Sequence, residues 1–300
     1  MVTAKALAED GFEVAVYGMD AYAGDKGGVT LAADLSSATT DAMLVVLPLP
    51  VTQDEERLHC PLTKKTILLT EVFDRLTPEQ YIIGGKVSSY VHEMAKERGL
   101  TIKDYLCREE LAVANAVPTA EGALAIAMAE VPYTIHGASC LILGYGRVGK
   151  TLARALLSLG ADVTVAARKP KDLAWIDADG ASPLSFDALY AAKEAVSPAL
   201  LPYDIVFNTV PYPVIDGKLL SCFKKDVLLL DLASAPGGFD HDYVKAQGYH
   251  AIWALSLPGK VAPVTAGKII RTSILEMLRE DLGSEILRAA PSAGKEGGTP

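Results

Sequence analysis

Short runs rich in Val, Ile and Leu alternate with helical patterns along most of the chain. In the second half these runs predict strands at Ser139–Leu143, Asp162–Ala167, Asp204–Thr209, Val227–Asp231 and Tyr249–Trp253. The first half repeats the pattern more weakly, with candidate strands at Glu13–Tyr17, Met43–Leu47, Thr66–Leu69, Tyr81–Ile83 and Leu100–Lys103. Alternation of strands and helices predicts an α/β fold of two doubly wound domains with parallel sheets.

Two long apolar helical patterns suggest how these domains are joined. The first, Thr119–Glu130, is bracketed by Pro118 and Pro132, and the second runs from about Thr265 to Leu287. Both are typical of helices that cross between domains. We expect an N-terminal substrate domain at 1–118, a crossing helix at 119–131, a second domain at 132–264, a crossing helix at 265–288 and a disordered tail at 289–300.

The chain opens on a helical pattern, Thr3–Glu9, that leads into a strand. Doubly wound domains usually open on a strand whose carboxyl end contributes to the ligand site. The pattern therefore predicts that the N-terminal domain lacks its first strand.

The charge balance narrows the classes of partner. The chain has 37 Asp and Glu residues against 28 Lys and Arg residues, a formal net charge of -9. Because nucleic acid and anionic membranes attract basic surfaces, we expect neither as a partner. We also expect no span of a bilayer, since Asn115, Pro118, Glu121 and Glu130 interrupt the most apolar stretch, Leu111–Tyr133. The 4 widely spaced cysteines predict reduced thiols and no metal site.

The most informative segment is Ser139–Lys169, in which Gly144, Gly146 and Gly149 make the spacing G-x-G-x-x-G between a strand and a helix. A second strand completes a βαβ unit of the size expected for a Rossmann-like dinucleotide-binding domain. The first glycine makes the tight turn, the second lets a pyrophosphate approach the backbone, and the third lets the helix pack on the strand. The helix N-terminus then offers N–H groups to the phosphates.

The same residues also fit a second motif. Gly144, Gly149, Lys150 and Thr151 read G-x-x-x-x-G-K-T, the phosphate loop of ATPases and GTPases, and Leu228–Asp231 resembles its magnesium-binding strand. The phosphate-loop interpretation leaves Gly146 unexplained, whereas the dinucleotide interpretation uses all three glycines. We therefore favour the dinucleotide interpretation, in which Lys150 is a solvated helix residue.

The end of the second strand indicates which nicotinamide cofactor is bound. An NAD site normally has Asp or Glu there for the ribose 2′-hydroxyl, whereas the 2′-phosphate of NADP requires cations. This chain has Arg168 and Lys169. They could also be two exposed cations that end a strand, but their position favours NADP over NAD.

Other candidate residues have ordinary structural explanations. Three later turns, at 208–211, 231–234 and 257–260, follow predicted strands and are natural ligand positions, yet each could be an ordinary turn. Thr119 and Glu121 suit the start of a helix as N-cap and first-turn acid. His136 precedes a strand and suits a turn or the core. The run Asp240, His241 and Asp242 resembles a metal site on paper, but neighbouring helix residues do not face one another.

Five segments together resemble the family of dipicolinate synthase A subunits: NAVPTAEG at Asn115–Gly122, YTIHG at Tyr133–Gly137, the loop GYGRVG, DLASAPGG at Asp231–Gly238 and LPGKVAPVTAG at Leu257–Gly267. The likeness covers most of the chain and is strongest from Cys107 to Arg271. The chain is more distantly similar to D-2-hydroxyacid dehydrogenases and adenosylhomocysteine hydrolases, which share two domains joined by crossing helices. Members of the family begin with a strand and a glycine-rich turn that this chain lacks.

The resemblance implies a role in the mother-cell cytoplasm of a sporulating bacterium. There the A subunit works with a flavoprotein-like B subunit to convert dihydrodipicolinate, a small dicarboxylate from the lysine pathway, into dipicolinate. A homo-oligomer is also expected. Carried over to this sequence, the cofactor positions are Gly144, Tyr145, Gly146, Arg147, Val148, Gly149, Arg168 and Lys169, with Asn208, Val210, Pro211, Ala233 and Ser234 lining the nucleotide and nicotinamide.

A ring dicarboxylate calls for cations and helix N-termini in its cleft. Arg108, Lys260 and the N-terminus of the helix at Thr119 are the substrate candidates between the domains. The catalytic residues are not identified; Glu121, His136 and Lys260 are candidates, and nothing in the sequence selects among them.

Two other functions stay open. The first is another NADP-dependent dehydrogenase of the 2-hydroxyacid type, which predicts a catalytic His with an acidic partner in the late loops. The absence of any His between His136 and His241, and beyond His250, disfavours it. The second is a non-catalytic NADP-binding scaffold for a flavoprotein partner, which the lack of an obvious acid–base pair favours.

Overall fold

The computed structural model describes residues 1–191 and 201–283. The predicted tail at 289–300 and the last residues of the predicted helix at 265–288 lie outside these described residues. The chain divides into two compact units, Met1–Ala112 with the residues from Val264 onward, and Val113–Pro263. The predicted domain limits are residues 118 and 264.

The first unit is built on parallel strands. Its elements are α1 (Val2–Glu9), β1 (Ala15–Val16), β2 (Thr30–Leu31), α2 (Leu35–Thr39), β3 (Leu44–Val46), α3 (Leu69–Phe73), β4 (Tyr81–Gly84), α4 (Ser89–Lys96), β5 (Ile102–Asp104) and a 3-10 turn at Tyr105–Cys107. β4 pairs with β3 and β5, and β1 pairs with β2, all in parallel. Within the described residues these are two separate sheets.

The predicted strand at Thr66–Leu69 is wrong. Leu69 begins α3, and Leu68 makes only an isolated bridge with Arg57. Leu69, Val72 and Phe73 are buried at helical spacing in the core of this unit. A short apolar run suits a buried helix as well as a strand, and here packing selects the helix.

The second unit carries a larger parallel sheet. Its elements are α5 (Glu109–Glu130), β6 (Ser139–Leu143), α6 (Arg147–Ser158), β7 (Asp162–Ala167), α7 (Pro170–Ala178), β8 (Ser182–Ser185), α8 (Phe186–Ala191), β9 (Ile205–Asn208), α9 (Gly217–Ser221), β10 (Leu228–Asp231), α10 (His241–Ala246), β11 (His250–Trp253) and α11 (Leu257–Val261). The six described strands are all parallel, in the order β11-β10-β9-β6-β7-β8.

This strand order is that of Rossmann-type domains, with the reversal between β6 and β9. It confirms the prediction of an α/β fold with parallel sheets. β8 was not predicted because Ser182–Ser185 has no apolar run and includes Pro183. Such a strand is tolerated because β8 lies at the sheet edge.

Both faces of this sheet are buried. Cys140 and Ile142 of β6 pack in one core cluster with α5, α6 and α7, whereas Leu141 and Leu143 pack in the other with α8, α9 and α10. Alternate residues of a strand point to opposite faces, so a strand covered on both sides is apolar throughout. This is why the strand signal is strong in this half of the chain.

The prediction that a helix begins at Thr119 is wrong. α5 begins at Glu109 and contains Pro118, which is buried inside it. Pro118 removes one backbone N–H and costs helix stability, but Ala120, Ala123 and Ala127 pack in the core of the second unit. Tertiary packing therefore carries the helix through the proline.

The prediction that no segment is long and apolar enough to cross a membrane is also corrected. α5 has 22 residues and passes that test by length and hydropathy. The polar residues within α5 are too few to lower its mean hydropathy below that of a membrane-spanning helix. Its alanines at Ala120, Ala123 and Ala127 are core residues of the second unit, which accounts for much of its apolar character.

The last helix within the described residues, α12 (Pro263–Leu282), returns the chain to the first unit. Ile274, Met277 and Leu278 form a core cluster there with Ile83, Tyr105 and Leu111. Lys103 adds an ion pair with Asp281 at 2.6 Å.

A partly buried carboxylate connects the amino ends of β6 and β9. Asp204 accepts hydrogen bonds from the Ser139 N–H at 2.7 Å and from the Lys224 ammonium. Burial raises the pKa of the Asp204 carboxyl, but the hydrogen bonds from Lys224 and Ser139 outweigh it, so the pKa lies below its ordinary value. Its stabilising effect is therefore complete above the unfolded pKa of about 3.9 and is lost as the pH falls through the folded pKa.

We predict that Asp204→Asn lowers the free energy of unfolding by about 1–3 kcal/mol at pH 7. The difference from the parent protein shrinks as the pH falls below about 4 and through the lowered folded pKa, where the parent's carboxyl also becomes protonated. Urea denaturation at pH 7 and pH 3 measures both values. Asp226→Asn, at an exposed position, is the control. An equal loss at both pH values would contradict the prediction.

Candidate functional site

The glycine-rich turn joins β6 to α6 at the carboxyl edge of the six-stranded sheet of the second unit. Gly144 has a φ of +99°, and a Cβ there would lie 2.6 Å from Thr209 Oγ1. A Cβ at Gly149 would lie 2.2 Å from the carbonyl oxygen of Gly144. Both positions therefore require glycine for the turn itself, as the motif predicts.

Gly146 differs from these two glycines. It is exposed, its φ of -83° suits any residue, and a Cβ there would meet nothing within 4 Å. The protein's own packing does not explain this glycine, whereas the approach of a phosphate group does. Gly146 is also the N-cap of the 12-residue α6, whose first N–H groups lack helical partners.

The side chains near this turn do not resemble a phosphate loop. The Lys150 ammonium lies 5.1 Å from the centre of the Tyr145 ring. Tyr145 is 8% exposed, and its hydroxyl donates to Asp179 at 2.5 Å. Burial and this hydrogen bond raise the pKa of Tyr145 to about 12. Tyr145 thus packs inside the unit, and only its backbone is available to a ligand at the turn.

The remaining predicted residues of the turn and of the neighbouring strand end are accessible. Arg147 is exposed and Val148 half-buried at the start of α6. Arg168 and Lys169 follow β7 directly, and both are exposed. β7 is the neighbour of β6, so the two cations stand at the same sheet edge as the glycine turn.

On the other side of β6, a buried polar cluster lies at the ends of β9 and β10. The Asp231 carboxylate is 0% exposed and accepts four hydrogen bonds. The donors are Asn208 Nδ2 at 2.8 Å, the Ala233 N–H at 3.1 Å, the Gly238 N–H at 2.7 Å and His241 Nε2 at 3.0 Å. A buried carboxylate is tolerated only when it is satisfied in this way. We call Asn208, Asp231 and His241 the Asp231 cluster.

Two of the residues predicted to line the cofactor are buried in or beside this cluster. Asn208 is 1% exposed, and its amide binds Asp231 and both backbone groups of Val210. Ala233 is also buried. Val210 is half-buried, whereas Pro211 and Ser234 are exposed at the loop tips, where a ligand can reach them.

Sequence reasoning missed Asp231 and His241 as site residues. The signal was an Asp that ends an otherwise apolar strand, followed by Gly237 and Gly238. A Cβ at Gly238 would lie 2.1 Å from Asn208 Nδ2, so the loop can fold over the cluster only with glycine. His241 stands at the start of α10, beside Asp240 and Asp242, but its partner Asp231 precedes it by 10 residues and belongs to another element.

Of the three predicted substrate positions, the structure contradicts one, the helix N-terminus at Thr119. Arg108 belongs to the first unit, where its guanidinium donates to both Glu280 oxygens, at 2.5 and 2.7 Å, and to Glu110. Thr119 lies in the middle of α5, with its hydroxyl donating to the Asn115 carbonyl at 2.7 Å, so no helix N-terminus exists there. Lys260 is exposed in the last turn of α11.

The candidate bases lie on separate elements. Glu121 is exposed on α5. His136 precedes β6 and packs over Gly160, so it lies at the amino edge of the sheet, opposite the glycine turn. The structure therefore does not place His136 with the cofactor residues. Within residues 1–191 and 201–283, no group of three or more His, Cys, Asp or Glu residues is arranged to hold a metal ion.

Comparisons with known families divide the chain into the same two parts. Residues 1–106 match the family of N-terminal domains of the dipicolinate synthase A subunit. Residues 115–236 match "D-isomer specific 2-hydroxyacid dehydrogenase, NAD binding domain". The second match includes the glycine turn, Arg168, Lys169 and Asp231. It indicates a nicotinamide cofactor and an oxidoreductase, and it disfavours the phosphate-loop interpretation.

Individual relatives indicate the same family as these matches. The chain is 35% identical to the dipicolinate synthase A subunit of Bacillus subtilis over 237 residues, which cover 79% of this chain and 77% of that protein. The crystal structure of the Bacillus halodurans A subunit superposes with a TM-score of 0.80 at 29% identity, covering 92% of this chain and 93% of that one. The crystal structure of the Bacillus subtilis protein gives 0.79 at 31% identity, covering 93% and 92%. The chain belongs to the family of dipicolinate synthase A subunits.

Proposed function

We propose that this chain binds NADP at the carboxyl edge of its second unit and oxidises dihydrodipicolinate to dipicolinate. The observation that carries the proposal is the open space above Gly146, beside the exposed Arg168 and Lys169. Family membership supplies the substrate, since the relatives are named for dipicolinate synthase. Their naming as one of several subunits implies a complex, and we propose that the partner is a flavoprotein-like B subunit, in the cytoplasm of a sporulating mother cell.

The residues present fit a dinucleotide. The N–H groups at the start of α6 would hold the pyrophosphate, and Gly146 leaves room for it. Arg168 and Lys169 would bind the 2′-phosphate with charge-assisted hydrogen bonds. The exposed loop tips at Pro211 and Ser234 would line the remainder of the cofactor. A bound nicotinamide would supply the hydride acceptor, and the dihydropyridine ring would give up a hydride and a proton to become aromatic.

The chain's own groups then need to bind two carboxylates and receive one proton. Aromatisation makes the reaction favourable, so little acid–base assistance is required. Lys260 stays the proposed cation for a substrate carboxylate and Glu121 a proposed base, because both are exposed. Arg108 is less suited, since Glu280 and Glu110 already occupy its guanidinium.

The test of the proposed function is an absorbance assay of the purified chain with NADP and freshly generated dihydrodipicolinate, with and without the B subunit. NADPH that appears together with dipicolinate supports the proposal. Product formed only with the partner, and without NADPH, would instead make this chain a nucleotide-binding scaffold. A 2-hydroxy acid offered in place of dihydrodipicolinate tests the dehydrogenase alternative, and we expect no NADPH from it.

We predict that Gly146→Ala weakens NADP binding by at least about tenfold, because the methyl group occupies the space of the pyrophosphate. The melting temperature stays unchanged, since this Cβ meets no protein atom within 4 Å. Calorimetric titration and thermal unfolding measure the two quantities. Ser158→Ala, at the exposed far end of α6, is the control and leaves both unchanged. Undiminished binding by Gly146→Ala would place the pyrophosphate elsewhere.

We predict that Arg168→Ala with Lys169→Ala weakens NADP binding by roughly 10²–10⁴, from about 1.5–3 kcal/mol for each charge-assisted hydrogen bond. NAD binding changes little, because NAD has no 2′-phosphate. Lys171→Ala removes a neighbouring exposed cation and serves as the control. If NADP and NAD affinities fall equally, the two cations do not read the 2′-phosphate.

A further inference from the structure

The Asp231 cluster connects two loops at the carboxyl edge of the sheet of the second unit. Through Asn208 it holds Val210 after β9, and through the Ala233 and Gly238 N–H groups it holds both ends of the loop after β10. Asp231 Oδ1 accepts from Asn208 and Ala233, whereas Oδ2 accepts from Gly238 and His241. His241 is therefore the side-chain donor to one of the two oxygens.

The His241 ring is itself held between two aromatic side chains. Its centre lies 4.4 Å from the Phe239 ring and 4.6 Å from the Trp253 ring, and it stacks on the latter with planes 9° apart. Trp253 Nε1 donates to the Ala233 carbonyl at 2.9 Å. The same loop is thus fixed from inside by Asp231 and from outside by Trp253.

The sheet order indicates which part of a dinucleotide these loops would meet. Arg168 and Lys169 follow β7, on one side of β6, whereas β9 and β10 lie on the other side. A dinucleotide bound across the reversal between β6 and β9 places one nucleotide on each side. If the 2′-phosphate lies at β7, the nicotinamide half faces the loops after β9 and β10.

We propose that His241 is a positioning residue for the nicotinamide half of the cofactor, acting through Asp231 on the loops at 209–211 and 232–236. This inference rests on the proposed NADP site. Removing the His241 donor leaves Oδ2 of a fully buried carboxylate with the Gly238 N–H alone. An undersatisfied buried carboxylate draws in water or a proton, and the loop tied to it then loses its fixed shape.

Two variants separate the hydrogen bond from the packing. His241→Phe keeps an aromatic ring between Phe239 and Trp253 but removes the donor, and His241→Gln keeps an N–H donor without the ring. Each is titrated calorimetrically with NADP and with adenosine 2′,5′-bisphosphate, which has the 2′-phosphate but no nicotinamide. Thermal unfolding of the full chain is measured alongside.

We expect His241→Phe to weaken NADP binding by about tenfold or more while changing the affinity for the bisphosphate by less than about twofold. His241→Gln restores most of the NADP affinity. A purely structural role would lower both affinities together, and that outcome, or no change in either, overturns the proposal. If His241→Phe does not fold, Trp253→Phe, which removes the bond to the Ala233 carbonyl, must give the same selective loss.

The same two titrations of the parent protein separate a failure of the positioning role from a failure of the proposed NADP site. A parent chain that binds neither NADP nor the bisphosphate refutes the proposed NADP site, and the positioning role with it. A parent chain that binds both, together with variants that show no selective loss, refutes the positioning role alone.

Discussion

The approach of α6 to the end of β6 is the constraint on which the candidate site depends. A side chain at Gly149 would lie 2.2 Å from the Gly144 carbonyl oxygen, so only glycine lets the helix start so near the strand. That approach directs the unpaired N–H groups of the helix at the sheet edge. Gly146 then keeps the space before them open. In the proposed site, anion binding at this edge is therefore a property of the backbone, and side chains contribute selectivity.

The charged groups on the two sides of the glycine turn have different roles. Arg168 and Lys169 are exposed at one side of the glycine turn, where a ligand can neutralise them. On the other side, Asp231 is buried and fully occupied by donors from its own unit. Arg168 and Lys169 are therefore accessible to a ligand, whereas the hydrogen-bonding capacity of Asp231 is used to hold loops of its own unit. In the first unit, Arg108 is likewise occupied by Glu280 and Glu110.

Much of the fold could be predicted because burial on both faces makes strands such as Ser139–Leu143 and Asp162–Ala167 uniformly apolar. The glycine spacing and the two cations were also readable, because they depend on residues close together in sequence. The wrong predictions concern segments whose local sequence suits more than one structure. Thr66–Leu69 was assigned as a strand and Thr119 as a helix start, since a short apolar run and a proline have more than one outcome, and packing chooses between them.

By itself, the sequence determined the α/β class, the βαβ unit around Gly144, Gly146 and Gly149, and the place of Arg168 and Lys169 after the second strand. Local periodicity and glycine chemistry suffice for these. Only the tertiary structure joined Asn208, Asp231 and His241, and only it paired Arg108 with Glu280. The reason is that a hydrogen bond between residues far apart in the chain leaves no local pattern, because the sheet and its crossovers bring the partners together.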